Sequence, residues 1–199
     1  MIDEERFFYT IALVGVVVVM AIAMRGRLRA AASKETLDRR QEGLTIFLAV
    51  RLAGLALWAG VITYFIHPAS MAWSSVAFPS AFRWLGIGVL GGAVWLLGAT
   101  LEAIGTNLTD TVVTRQAHTL VTRGPYRVVR HPFYGAMILL MTALTLLTSN
   151  WFFVGIGALV FVLLAVRSAT EERKLLERFG EPYRLYRERT GRFLPRWHQ

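Results

Sequence analysis

The chain has 199 residues, 55% of them hydrophobic, and sets 22 Lys and Arg against 13 Asp and Glu for a formal charge of +9. A mean hydropathy of +0.47 is too apolar for an ordinary soluble domain, so the charges must be segregated from long apolar runs. Cysteine is absent, which excludes disulfides, thiolate metal sites, iron–sulfur clusters and cysteine nucleophiles.

Runs of about 18 or more residues with few charges read as membrane-spanning helices. Five are predicted, over residues 7–24, 44–66, 82–105, 133–149 and 151–170. The first follows Asp3, Glu4 and Glu5 and precedes Arg25, with no small-residue cleavage site between, so it is expected to stay as a helix and not to be removed as a signal peptide. Arg25, Arg27 and Arg29 through Lys34, Arg39 and Arg40 form the first basic loop, expected on the cytoplasmic side. Counting spans from that loop puts the N-terminus and the 70–80 connection outside, and the 106–132 loop and the Arg-rich C-terminus inside. Every basic segment then falls on one side of the membrane. The Lys and Arg residues beside the run ends suit anionic headgroups, and nucleic acid is not expected as a partner.

The second run contains Arg51, read as an arginine that snorkels to the headgroups or pairs with a carboxylate, Glu102 being one within reach. The link after it, with His67, Pro68, Trp73, Val76, Phe78 and Pro79, has the mix of an interfacial segment. Gly86, Gly88, Gly91, Gly92 and Gly98 in the third run, and Gly155 and Gly157 in the fifth, are expected to permit close helix packing. Ser149-Asn150 is the one break between the fourth and fifth runs and predicts a tight helical hairpin.

That hairpin joins two segments rich in titratable and turn-forming residues. The first runs from His118 to Gly135 and holds two histidines, three arginines and two Gly/Pro breaks beside an apolar run. The second starts at Arg167. Arg167 and Glu171 stand four apart on one helix face, Gly180 reads as a helix stop, Pro182 as the first residue of a new helix, and Thr190-Gly191 as its end. A bent cytoplasmic cap is predicted, with residues 192–197 folding back.

Pro132 at the first position of the fourth helix leaves the free N–H groups and positive dipole end pointing into the loop, with Arg130 and His131 alongside, a setting that suits an anionic group. Gly124-Pro125 predicts a turn that lets backbone approach a ligand, and Tyr126 and Tyr134 offer flat faces with hydroxyls. Glu171 and Glu172 can accept hydrogen bonds from an ammonium group or from sugar hydroxyls. Together these residues suit a zwitterionic, aromatic molecule with a cationic centre, a description that S-adenosylmethionine meets. Each feature also has a plain structural reading, as positive-inside anchor, aromatic belt or surface ion pair.

The combination resembles the integral-membrane methyltransferases of the isoprenylcysteine carboxyl methyltransferase type, with phospholipid methyltransferases as relatives. The likeness rests on His118-Thr-Leu-Val121, Gly124-Pro-Tyr126, Arg130-His-Pro132, Tyr134-Gly135, Arg167, Glu171-Glu172, Phe179-Gly180, Tyr183, Tyr186 and Leu194-Pro195. It implies an all-α polytopic membrane protein, one domain over residues 1–199, with three spans in 1–105 and the loop, hairpin and cap in 106–199, without a Rossmann sheet. It implies S-adenosylmethionine as cofactor and S-adenosylhomocysteine as product, with His118, Leu120, Val121, Tyr126, His131, Pro132, Tyr134 and Glu171 lining it. By the same likeness Arg167 holds a lipophilic methyl acceptor, a carboxylate or thiol, that enters from the bilayer; no metal is implied. Eukaryotic members carry more acidic residues after the matching arginine and further helices, so the likeness points to the short prokaryote-like branch, in a bacterial inner membrane. Two other readings stay open: an NADPH-dependent membrane reductase of the sterol-reductase type, and a non-catalytic scaffold that binds lipid.

Overall fold

The computed structural model describes residues 2–31, 44–105 and 119–196. His118, Lys34, Arg39 and Arg40 lie outside them. The described chain is all-α, with helices at α1 (Ile2–Ala31), α2 (Leu44–Ile66), α3 (Ser80–Ile104), α4 (Pro132–Thr148), α5 (Phe152–Phe179) and α6 (Glu181–Arg189) and short 3-10 turns at Pro68–Ser74 and Gly124–Arg127. No β-strand occurs among the described residues; two isolated bridges, Ser75 with Asn150 and Val129 with Gly191, tie loops together.

Four helices, α1, α2, α3 and α5, are long and apolar enough to cross a membrane. The fourth predicted span, α4, has 17 residues and at 1.5 Å per residue is about 26 Å long. Its brevity is matched by enclosure. Tyr134, Leu140, Leu144 and Leu147 are buried, and α4 pairs more extensively with α3 than any other two helices pair. Its partner α5 runs on to 28 residues, so the hairpin arms are unequal and the polar end of α5 stands level with the start of α4.

The core lies where α1, α2, α3 and the hairpin meet, around Phe8, Ala12, Leu90, Ala93, Leu140, Leu144, Leu147 and Phe153. Small residues set some of these distances. A Cβ on Gly157 would come 2.5 Å from Met141, and one on Gly86 would come 3.0 Å from Leu146. The packing expected of Gly88, Gly91, Gly92 and Gly98 does not occur: a Cβ at each would meet nothing within 4 Å among the described residues. The pattern of small residues in α3 spreads around the helix, and only Gly86 falls on the face turned to α4.

At the hairpin turn Ser149 adopts a left-handed conformation, φ 50°. Asn150, 2% exposed, donates to the Met71 carbonyl at 3.1 Å and accepts from the Phe152 N–H at 3.0 Å. Nearby, Arg83 is 6% exposed. Its guanidinium forms a two-pronged pair with Glu5, donates to the Leu147 carbonyl through Nε and Nη2 at 3.3 and 3.1 Å, and lies 4.4 Å over the Phe8 ring. One buried cation thus ties α1, α3 and the end of α4 together, and both of its polar faces are satisfied.

Candidate functional site

At the opposite end of the hairpin the chain turns sharply three times. Gly124 takes φ +59°, and a Cβ there would stand 3.1 Å from that of Ala103. The close approach predicted at this glycine is therefore to α3. Arg123 reinforces it by donating from Nε to the Ala103 carbonyl at 3.3 Å. Gly180, at φ +55°, ends α5 with its N–H on the Leu176 carbonyl at 2.8 Å, and α6 starts immediately with Pro182 in its first turn. After α6 the tail folds back: Arg130 N–H donates to the Gly191 carbonyl at 2.8 Å, His131 N–H to the Arg192 carbonyl at 3.1 Å, and Gly191 N–H to the Val128 carbonyl at 3.1 Å. A Cβ on Gly191 would lie 1.6 Å from the Leu194 carbonyl oxygen, so the turn closes only around glycine.

These turns bring two segments 40 residues apart into one polar cluster. Glu172 Oε1 accepts from Arg130 Nε at 2.9 Å, lies 3.1 Å from His131 Nε2, and has Arg192 Nε at 3.5 Å. Glu171 receives the Tyr134 hydroxyl on Oε2 at 3.1 Å and pairs through Oε1 with Arg167 Nε at 3.3 Å; His131 Nδ1 stands 3.7 Å from its Oε2. His131 therefore faces one carboxylate with each ring nitrogen. Its ring stacks on Tyr134, centroids 5.1 Å apart and planes at 10°, three residues further along the same helix face. Phe193 packs against both rings at 5.7 and 5.9 Å and against Phe161 at 5.3 Å.

Of the residues singled out in the sequence, Arg130, His131, Tyr134, Arg167, Glu171 and Glu172 converge. Pro132 is buried at the start of α4. At the start of that helix the His131 N–H donates to the Arg192 carbonyl at 3.1 Å, while Glu171 and Glu172 meet the Tyr134 and His131 side chains. Tyr126 is half-buried on the 3-10 turn, its carbonyl receiving the Tyr186 hydroxyl at 2.7 Å. Burial, then the neighbouring Tyr186 and Glu171, push its phenol above the ordinary range. Leu120 and Val121 are half-buried in the segment that leads to that turn. Arg51 lies 5.0 Å from the Phe47 ring, within α2 and away from this cluster.

Two contributors escape the sequence reading, Arg192 and Phe193, whereas Tyr183 belongs to the pattern that carries the likeness. Tyr183 is 1% exposed, and its hydroxyl has no hydrogen-bond partner among the described residues. The returning tail was legible from Thr190-Gly191, but which of its side chains reach the cluster depends on a turn that local sequence does not encode.

The cluster's donors and acceptors fit the polar end of S-adenosylmethionine. A carboxylate offers about four lone-pair sites. Each oxygen of Glu171 meets one cation or hydroxyl at hydrogen-bonding range, and its side chain remains 22% exposed, so capacity is left for an ammonium or a sugar hydroxyl. The stacked His131 and Tyr134 rings, with Phe193 tilted against both, supply an aromatic wall beside it. Below Tyr134, between α2, α4 and α5, lies a narrow apolar slot of about 10 Å³ lined by Leu57, Met137, Met141, Gly157, Phe161 and Leu164.

Comparison with known proteins finds a likeness that includes α3, the hairpin and most of the polar cluster. Residues 84–177 match the model of the Isoprenylcysteine carboxyl methyltransferase (ICMT) family. The cobalt-zinc-cadmium resistance protein CzcN of Cupriavidus metallidurans is 31% identical over 148 residues, 71% of this chain and 63% of that protein. The nickel-cobalt-cadmium resistance protein NccN of Alcaligenes xylosoxydans xylosoxydans is 31% identical over 57% of this chain and 53% of its own length. A methanethiol S-methyltransferase of Mycobacterium tuberculosis is 36% identical over 84 residues, 42% of this chain and 32% of that enzyme. The chain thus spans under two-thirds of the length of each of these relatives.

Proposed function

We propose, from the match of residues 84–177 to the ICMT family, that this integral-membrane protein is an S-adenosylmethionine-dependent methyltransferase acting on a lipophilic acceptor. The observation that carries the reading is the convergence of Glu171, Glu172, His131, Tyr134 and Arg167 at the polar end of the α4–α5 hairpin. The cofactor, when bound, supplies an electrophilic methyl group on a sulfonium. The residues of this chain bind and orient. Glu171 is placed to accept from the cofactor's polar groups, the His131–Tyr134–Phe193 wall to shield them from water, and Arg167 to steer an anionic acceptor. Excluding water and holding two reactants in line supply much of the acceleration of such a transfer, and a carboxylate or thiolate acceptor needs no general base.

The acceptor belongs to the class of small lipophilic thiols or carboxylates. Two of the relatives are named for methanethiol S-methylation, and the slot beneath Tyr134 is apolar and about 10 Å³, room for one small group unless its methionines swing aside. A prenylated acceptor requires a far larger rearrangement than a small thiol does. The membrane is a bacterial inner membrane, with the N-terminus outside and the site at the cytoplasmic surface, since the basic segments then all face inward.

Calorimetric titration of S-adenosylhomocysteine into the purified protein in nanodiscs, with NADPH in parallel, tests the reading. Saturable micromolar binding of S-adenosylhomocysteine alone is expected. Binding of NADPH alone would transfer the protein to the reductases, and binding of neither by folded protein would leave a lipid-binding scaffold.

A further inference from the structure

A second hollow lies on the outer side of Arg130, where the last turn of α6 meets the returning tail. It has a volume of about 370 Å³ and is lined by Arg130, Arg187, Glu188, Thr190, Arg192 and Arg196, with Leu194 at its rim. We propose that it binds a phosphate group, that of an anionic lipid headgroup. The methyl-transfer reading plays no part in the argument.

The charge balance points to an anion. Four guanidinium groups line the hollow. The carboxylates within reach are Glu188 on its wall and Glu172 behind it, and Glu172 is already shared among Arg130, His131 and Arg192. Two positive charges are left over.

Arg130 and Arg192 share Glu172, and backbone carbonyls, which neutralise nothing, hold Arg196 and the far side of Arg130 in place. Arg130 Nη1 donates to the Arg187 carbonyl at 3.1 Å and to the Thr190 carbonyl, and Arg196 Nη1 donates to the Glu188 carbonyl at 2.6 Å. These carbonyls belong to the C-terminal end of α6, where unsatisfied oxygens attract cations. An arginine pinned by a neutral carbonyl keeps its full charge and its remaining N–H donors. Arg192 Nε is buried without a geometrically good hydrogen bond, and its guanidinium lies 5.3 Å over Phe193. The result, among the described residues, is a preorganised set of donors that outnumber the carboxylates beside them, the arrangement that suits the oxygens of a phosphate.

The rim selects the source. Leu194 is 77% exposed beside the hollow, on the side where the basic segments gather. An exposed leucine next to arginines matches the boundary between headgroup and acyl chain, where each basic residue near an anionic surface adds to the attraction. A soluble phosphate would fill the donors and leave Leu194 in water.

The test uses the full chain in detergent, comparing retention of phosphatidylglycerol and phosphatidylcholine by native mass spectrometry, with inorganic phosphate titrated separately against the thermal unfolding midpoint. Selective retention of phosphatidylglycerol is expected, weakened about fivefold for each arginine removed in Arg187→Gln and Arg196→Gln. Glu188→Gln, which removes a carboxylate from the wall, should tighten retention and so provides a variant of opposite sign that does not depend on loss of function. Stabilisation by inorganic phosphate with no preference for phosphatidylglycerol would overturn the lipid source. Equal retention of the two lipids with no response to phosphate would overturn the site, as would retention unchanged in a well-folded Arg187→Gln/Arg196→Gln protein.

Discussion

Glu171 and Arg167 form one helical ion pair, yet the two ends of that pair face different tasks. Glu171 also receives Tyr134 and stands near His131, on the side of the aromatic wall, whereas Arg167 is one turn deeper, towards the apolar slot. Glu171→Ala is therefore expected to weaken S-adenosylhomocysteine binding about tenfold or more, the size of a lost charge-assisted hydrogen bond. Arg167→Ala should lower turnover by about a hundredfold while changing that dissociation constant much less. Calorimetry and single-turnover methylation of a thiol acceptor separate the two, and equal effects on binding and turnover in both variants would dismiss the division of labour. Both positions were legible in the sequence because a four-residue spacing fixes a shared helix face. Phe193 was not, since its place against His131 and Tyr134 follows from a turn closed by Gly191.

Among the elements, the tail and α6 are the ones whose docking is titratable. The Tyr186 phenol is pushed from 10.0 up to about 12, first by burial and partly offset by Arg130 and Thr190. Its folded-state value exceeds its unfolded one, so the neutral phenol is favoured in the fold. That stability is complete below about pH 10 and is lost as pH rises towards 12. Proteolysis at the arginines of α6 should accelerate over this window, and Tyr186→Phe should flatten that part of the profile. At the other end of the bundle, Arg83→Met would leave the buried Leu147 carbonyl without its donor and free Glu5, whose side chain is 71% exposed, to water. A cost of about 1–3 kcal/mol is expected, read as a lower unfolding midpoint in detergent with little change in ligand binding. The hairpin was predictable from Ser149-Asn150, and so was the shortness of α4: the apolar run 133–149, bounded by Pro132 and that break, agrees with Pro132–Thr148 to within one residue at each end.

For the molecule as a whole, the absence of cysteine makes orientation directly measurable. Single substitutions Ser70→Cys and Arg189→Cys should label from opposite sides of the cell membrane with an impermeant maleimide, Ser70→Cys from outside and Arg189→Cys only after permeabilisation. Labelling of both from one side would refute the five-crossing topology, and inverted labelling would refute the direction. The sequence alone determined the helical membrane architecture, because a continuous apolar run of spanning length satisfies its own backbone inside lipid as a helix, and the segregation of arginines, because charge is costly within it. It also determined the local stops at Gly180 and Pro182 and the pairing of Arg167 with Glu171, which depend on spacing within one element. The tertiary structure decided which charges meet across elements. Glu172 with Arg130, His131 and Arg192, Arg83 with Glu5, and the arginine-lined hollow at the tail all join residues on different elements far apart in the chain. Such pairings follow from where the unequal arms of the hairpin end and how the tail folds back over them, and helical periodicity carries no information about either.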